Sequence, residues 1–503
     1  MISAVSLWLL LAGPAAAQDV GSTGSPEDFA LYQTAMTAGQ RPAAADALLQ
    51  VIDDPARSGS HAEAWCRMAD LLKEFNLPTA ELYALTRGIE TDPLVASPWV
   101  ARAISLAETL GDESQLGTVF ANNLGANVDA PTRSKMALMA SRELLRADEL
   151  GESLSLLVIV DKNSPEFADA ELLRGVLLSM QGRHEEAVAP MLTAQAVAAG
   201  QGRGERFDTV VNLNVARTYY GAENWAQAIY WFDRVPRSSE YWPEAAFEKA
   251  WAYFRAEDMR GALAQLLNHE APNFDTWYFP EADILRAYSE FMMCKFSDAS
   301  KSMDGFVERY QPLRSQLDST LASVTPQQGW QDGLAMQNGT DTVMPDLVLR
   351  SFAFEERLAE SRRAVEAAEA ELGRLHPLSA AQSGPRVQQW IEGRRDAIIA
   401  SEGARVIQRA RGTQQQLADL LNGIELTRLD LLNLETEMYE RASVTGELDF
   451  GDKIGKLRDM RRNKKGHHVW PFQGEFWADE MGWYEIDARP DCPSTMSRGD
   501  EGR

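Results

Sequence analysis

Apolar and polar positions follow one another along this chain with the period of packed helices, and over Thr209–Met292 the pattern also repeats itself. Ala216, Tyr219, Ala228 and Phe232 recur 34 residues later as Ala250, Tyr253, Ala262 and Leu266. A small residue, an aromatic three on, an alanine nine further and a bulky apolar residue four after that describe the inward positions of a helix-turn-helix unit. The small residues let two helices approach closely, and the bulky ones fill the gap they leave. One such pair cannot bury its apolar face alone, so the pattern predicts a stack of pairs.

The period extends in both directions. Ser141, Leu144, Ser153 and Leu157 recur after 34 residues as Gly175, Leu178, Ala187 and Met191, with Gly182 at the turn and a second helix over His184–Ala194. The interval from Ala187 to Ala228 is 41 residues, which places an insertion of 7 in the loop Gly200–Gly204. That from Ala262 to Ala299 is 37, the extra three fitting the connection Asn273–Phe279, and Glu290 stands where the last unit calls for an aromatic. Gly39, Ala44, Leu48 and Pro55 mark the second half of a first pair, and Asp92-Pro93 closes another. About eight pairs are expected over residues 27–323.

This spacing resembles the tetratricopeptide repeat family. The resemblance implies an all-α solenoid with a concave groove lined by the first helix of each pair, at positions three before and one, four and five after the small residue. Six of the twelve residues so placed around Ala216, Ala250 and Ala287 are aromatic. The candidate partner-binding groove is therefore Arg217, Tyr220, Phe247, Trp251, Phe254, Arg255, Tyr288 and Phe291. The inward packing positions are already filled by Tyr219, Phe232 and Tyr253, so this strip is surplus to the solenoid core. An apolar occupant is expected, either a partner or the chain's own long helix.

Residues 324–345 read as a linker because Pro326, Gly329, Gly333, Asn338-Gly339 and Pro345 crowd into them. Beyond it the period becomes heptad. Leu347, Ser351, Phe354, Leu358, Ser361, Val365, Ala368, Leu372 and Leu375 form one seam, seven of the nine apolar. Ile399, Gly403, Val406, Ala410, Thr413, Leu417, Leu420, Ile424, Thr427, Leu431, Leu434 and Met438 form a second, nine of the twelve apolar. The break between them, from His376-Pro377 to Gly384-Pro385, predicts an antiparallel coiled-coil hairpin over 346–443 with unequal arms. The longer arm lacks a partner over part of its length, so self-association through it is one expectation.

Residues 444–503 make an irregular tail of two pieces. Lys453, Lys456, Arg458, Arg461, Arg462, Lys464 and Lys465 against Asp459 give a local charge of +6. The dense aromatics that follow predict a docking segment carried by Trp470, Phe472, Glu475, Phe476, Trp477, Asp479, Glu480, Trp483 and Tyr484.

The formal net charge of −25 excludes general nucleic-acid binding. Cys66, Cys294 and Cys492 are too few for a disulfide framework, and the first two, inside helical patterns, read as small buried apolar residues. The apolar stretch Ile2–Ala12 followed by Ala15-Ala16-Ala17 reads as a signal peptide, residues 1–17, cleaved before Gln18. No later run is long enough for an integral membrane span. The expected location is the periplasm. Catalytic motifs are absent: there is no phosphate-binding loop, metalloprotease helix, nucleophile elbow or paired cysteine motif. His467-His468 would point apart on a helix. No enzyme activity, cofactor or metal is expected.

Trp470-Pro471-Phe472, Gly474-Glu475-Phe476-Trp477, Asp479-Glu480-Met481-Gly482 and Tyr484, followed by Cys492, are similar to the ending of periplasmic tetratricopeptide proteins of the gliding-motility machinery of gliding soil bacteria. The order of repeats, coiled coil and Trp-rich ending is also that of the group. The resemblance implies a non-enzymatic scaffold that binds protein partners in a cell-envelope assembly. The alternative is a cell-wall module that binds peptidoglycan or another glycan through its C-terminal aromatic residues.

Overall fold

A computed structural model describes residues 24–274, 277–350, 352, 355–445, 472–477 and 479–486. The signal peptide, the basic run, Trp470, His467-His468 and Cys492 lie outside the described residues. The fold is all-α, with no strand among the described residues.

Helices follow in pairs: α1 (Ala30–Thr37) with α2 (Arg41–Asp53), α3 (His61–Glu74) with α4 (Pro78–Thr91), α5 (Ser97–Leu110) with α6 (Glu113–Asn122), and α7 (Ala130–Arg146) with α8 (Leu150–Leu156). The order continues with α9 (Phe167–Met180) and α10 (His184–Gly200), α11 (Glu205–Gly221) and α12 (Trp225–Phe232), α13 (Trp242–Arg255) and α14 (Met259–Leu266), then α15 (Pro280–Met292) and α16 (Phe296–Leu321). After these come α17 (Pro326–Asn338), α18 (Asp346–Leu349), α19 (Glu356–Leu372) and α20 (Ser383–Thr445).

The turns share one device. Gly39, Asn76, Gly111, Asp148, Gly182, Glu223, Glu257 and Cys294 each hold a positive φ, one between the two helices of each successive pair. A left-handed residue reverses the chain within two or three positions and lets the second helix fold back on the first. The small inward positions pack as their spacing predicts: Ala187, Ala216, Ala228, Ala250, Ala262, Ala287 and Ala299 are at most 1% exposed. A Cβ at Gly175 would lie 2.4 Å from Met191 Cγ, so α9 and α10 meet there at backbone distance. Glu290, in place of an aromatic, is buried and accepts a hydrogen bond from Ser302 Oγ at 2.7 Å and from Arg286 Nε at 3.3 Å.

The chain forms two compact units: residues up to Ala140 with Glu366–Arg395, and Ser141–Val365 with the residues from Asp396 onward. Two expectations need correction. The stretch read as a linker carries α17, with Trp330 buried in the core. Its turn-forming residues act as helix ends: Thr325 Oγ1 accepts the N–H of Gln328, Pro326 occupies the first turn, and Gly339 closes the helix at φ 68°. Gly329 serves contact instead of breaking the helix, since a Cβ there would lie 2.5 Å from the carbonyl oxygen of Gly403.

The second correction concerns the hairpin. Its first arm starts at Glu356, and α19 has 17 residues against the 63 of α20. The arms are antiparallel, with Arg357 paired to Glu402 at 2.7 Å and Glu355 to Arg405 at 2.6 Å. They are not set apart from the helix pairs. Val406, Ile407, Ala410, Leu417 and Ile424 of α20 share one core with Ile284, Ala287, Met303, Phe306 and Tyr310.

Candidate functional site

The inner strip is held by neighbouring pairs and divides into three parts. In the first, Arg217 on α11 reaches α13, pairing with Glu248 at 2.6 Å and Glu244 at 2.8 Å. Burial pushes the Glu248 carboxyl up and Arg217 pulls it back. Burial also opposes the charge on Arg217, but the two carboxylates hold it more firmly protonated. Tyr220 packs edge-on to Trp225 at 5.1 Å, and the Arg255 guanidinium lies over the same Trp225 ring at 5.2 Å. In the second part, Phe247, Trp251 and Phe254 pack over Ala250, Leu266, Ala282 and Leu285, half-buried.

The third part meets α20. Tyr288 and Phe291 pack against the core that α20 completes, and Tyr288 Oη lies 3.4 Å from Thr427 Oγ1. Further along α20, Gln416 donates to Glu281 at 2.8 Å and accepts from Tyr278 Oη at 3.1 Å. On the α16 side Gln414 donates to Asp318 at 2.5 Å, and Arg428 pairs with Asp304. These contacts place α20 beside α15 as α13 is placed beside α11: in each case the residue one after the small alanine reaches the next helix, through Arg217 in one and Tyr288 in the other.

In the other unit the hairpin tip has a polar seat. Glu371 is fully buried, and its carboxylate accepts the backbone N–H groups of Thr79 and Ala80 at the start of α4. Asp46 of α2 returns the arrangement, accepting from Gln382 N at 3.2 Å and Ser383 N at 2.7 Å where α20 begins. A helix start leaves such N–H groups without partners, and a carboxylate both satisfies them and meets the positive end of the helix dipole. Trp390 sits 5.2 Å from both Tyr83 and Trp65, stacked on the first ring and tilted to the second. Arg394 pairs with the buried Asp112, its Nε 2.7 Å from Oδ2.

The tail docks differently from the expectation. Arg237 Nη1 donates to the carbonyl oxygens of Asp479 at 2.9 Å and Met481 at 2.8 Å, and Gly482 N–H donates to Asn268 Oδ1 at 2.6 Å. Met481 is the buried residue, whereas Trp477 and Trp483 are 59% and 67% exposed. The expected aromatic anchors Phe472, Phe476 and Tyr484 pack on one another instead, at 5.1–6.2 Å. The backbone makes the dock, because a turn at Gly482 (φ 88°) leaves its carbonyl and N–H groups free to face the body. Composition carries no mark of that.

A small cleft between α14 and α16 holds His269, Glu270, Asp283, Arg286 and Arg309. Arg286 pairs with Glu270 and Glu290, and Arg309 with Asp283 at 3.7 Å. Burial pushes the His269 imidazole down to about 4, and its Nε2 lies 3.0 Å from the Pro243 carbonyl oxygen. Cys66 is free, buried and pushed up to about 12, an inert thiol. Cys294, read from the sequence as a small buried apolar residue, is disulfide-bonded. Among the described residues no cluster of His, Cys, Asp and Glu could hold a metal ion, and no helix is long and apolar enough to cross a membrane.

No protein-family model and no curated protein matches the chain. Among solved structures it is similar to one titled "Crystal structure of APC/C hetero-tetramer Cut9-Hcn1", at 11% identity over 80% of this chain and 96% of that one, with a TM-score of 0.22. A likeness of that degree says nothing of what this chain binds.

Proposed function

We propose that this chain is a non-enzymatic, exported scaffold of a cell-envelope assembly, whose inner strip on α11 and α13 receives a protein partner. The observation that carries this reading is a contrast of neighbours along a strip that is half-buried throughout: Tyr288 and Phe291 pack against the core that α20 shares, whereas Tyr220, Trp251 and Phe254 pack on residues of the helix pairs. An aromatic surface that already accepts one amphipathic helix at its end is suited to accept another beside it. Export is supported by the N-terminal apolar stretch and by the bonded Cys294, since disulfides persist in oxidising compartments. The similarity of the Trp-rich ending to periplasmic repeat proteins of gliding bacteria supports a place in a motility complex.

A photo-cross-linking residue at position 251, activated in intact cells, tests the reading. A discrete heavier adduct, lost with Tyr220→Ala and Trp251-adjacent Phe254→Ala, is expected. Adducts confined to this chain's own α20, or none, would remove the groove from the proposal. Recovery of the protein in the cytoplasmic fraction with Met1 intact would remove export.

A further inference from the structure

Beside α15 and α16, the long helix α20 keeps a second apolar row on its outer side. Inward, Ile424 is buried, Thr427 Oγ1 lies 3.4 Å from Tyr288 Oη, and Arg428 pairs with Asp304. At 3.6 residues per turn, Leu426 and Leu429 stand roughly 160° and 140° round the helix from Ile424. Leu426, Leu429 and Leu432 are 66%, 58% and 57% exposed, and no other described helix carries three exposed bulky apolar residues. Residues three apart are neighbours on a helix surface, so these leucines form one row on α20, which is helical from Ser383 to Thr445.

The row is edged by acid. Asp430 follows Leu426 by four residues and Glu425 precedes Leu429 by four, so each carboxylate stands beside a leucine, and both are exposed. Between Glu425 and Glu440 the sequence holds five carboxylates and one cation, Arg428. That cation is already shared between Glu425, at 3.1 Å, and Asp304. Charge therefore decides what can cover the leucines. A second copy would set the same carboxylates against one another, and an anionic lipid surface would be repelled as well. An amphipathic helix whose apolar stripe is flanked by Lys or Arg meets both features, since leucines pack between the two helices while the flanking cations face the carboxylates.

We propose that the outer face of α20 around Leu426, Leu429 and Leu432 is a docking surface for a cationic amphipathic helix of another protein, with Glu425 and Asp430 pairing its basic flanks. The face lies on the far side of α20 from the helix pairs and owes nothing to the strip on α11 and α13. Either reading can fail without the other.

The probe is a short amphipathic helical peptide of leucine and lysine that carries a dye and a photoreactive phenylalanine, offered to the full chain beside a counterpart with glutamate in place of lysine. The lysine peptide is expected to bind at least tenfold more tightly than the glutamate one, with adducts mapping to α20 between Asn422 and Thr436. Its affinity should fall severalfold between 50 and 500 mM NaCl. Replacing Leu426, Leu429 and Leu432 together by Gln, a good helix former, keeps the charge of the chain and should weaken binding at least tenfold, with helical content unchanged. The milder pair Glu425→Gln with Asp430→Asn should weaken it at least threefold, which keeps the test open if the triple variant unfolds. Equal binding of the two peptides, adducts on the helix pairs instead of α20, or undiminished affinity in both variants overturns the proposal. So does sedimentation of the chain alone as a dimer that the triple variant abolishes, since a second copy would then take the face.

Discussion

The first span of α20, Ser383–Arg395, and its later span, Asp396–Thr427, belong to one helix but are held by different chemistry. The first is seated by directional polar contacts around one ring stack: Asp46 on its opening N–H groups, Arg394 on Asp112, and Trp390 on Tyr83 and Trp65. The later span is seated by shape. Val406, Ile407, Ala410, Leu417 and Ile424 enter an apolar core, and Gly403 lets the backbone of α20 meet that of α17. Polar seats specify register, since each cap and ion pair has one geometry; apolar seats supply most of the burial free energy and tolerate small slips. A helix that must find one alignment along many repeats gains from having both.

That difference can be broken one end at a time. The largest effect is expected at the ring stack of the polar seat, where Trp390→Ala should cost about 3–5 kcal/mol in urea unfolding followed in that unit. A loss under 1 kcal/mol would mean the caps alone align the tip.

Acidity should distinguish the two units by sign. His269, in the unit of the apolar seat, has its folded value depressed to about 4 from 6.5, so the unfolded state binds the proton first. Its contribution is present above pH 6.5 and lost as pH falls toward 4, by up to about 3 kcal/mol. Glu371 in the polar seat runs the other way: burial raises its carboxyl, although Thr79 and Ala80 oppose the rise. Stability tied to it is full below the unfolded carboxyl value and declines as pH rises through the folded one. Comparing His269→Phe and Glu371→Gln with the parent from pH 4 to 7 should flatten opposite slopes; equal slopes in all three proteins would refute both assignments.

In the apolar seat, Gly403→Ala would bring a Cβ to 1.8 Å from the Pro326 carbonyl oxygen. Backbone cannot yield as a side chain can, so about 1–3 kcal/mol should be lost. The smallest effect is expected at the rim of the polar seat, where Arg386 pairs with Asp53 at 3.0 Å and both side chains are about half exposed. Arg386→Ala should change stability by less than about 1 kcal/mol, in keeping with a solvent-screened pair.

The same contrast explains what could be read from the sequence. Repeated small residues such as Ala216, Ala250 and Ala287 carry the helix pairs in their spacing, because close helix approach admits few residue types. The heptads of α20 likewise disclosed its apolar seat at Val406, Ala410, Leu417 and Ile424. The polar seat left no periodic mark. Glu371 and Asp46 look like any solvated carboxylate until a distant helix start is brought to them. The turns were legible only in part: Gly39 and Gly182 signal a left-handed residue, whereas Glu223, Glu257 and Cys294 hold the same conformation without the usual composition. Pro326, Gly329 and Gly333 misled because the signals that end a helix also begin one and permit close crossing.

The chain's own long helix is an integral seat-holder of the helix pairs, since its apolar residues share their core. A specific protease site inserted after Ser379, in the exposed connection between α19 and α20, allows the full chain to be nicked there and passed over a sizing column in physiological salt. Residues 383–503 are expected to stay with the rest, with helical content unchanged, until denaturant is added. Elution of the C-terminal fragment by itself, with the remainder still folded, would contradict it.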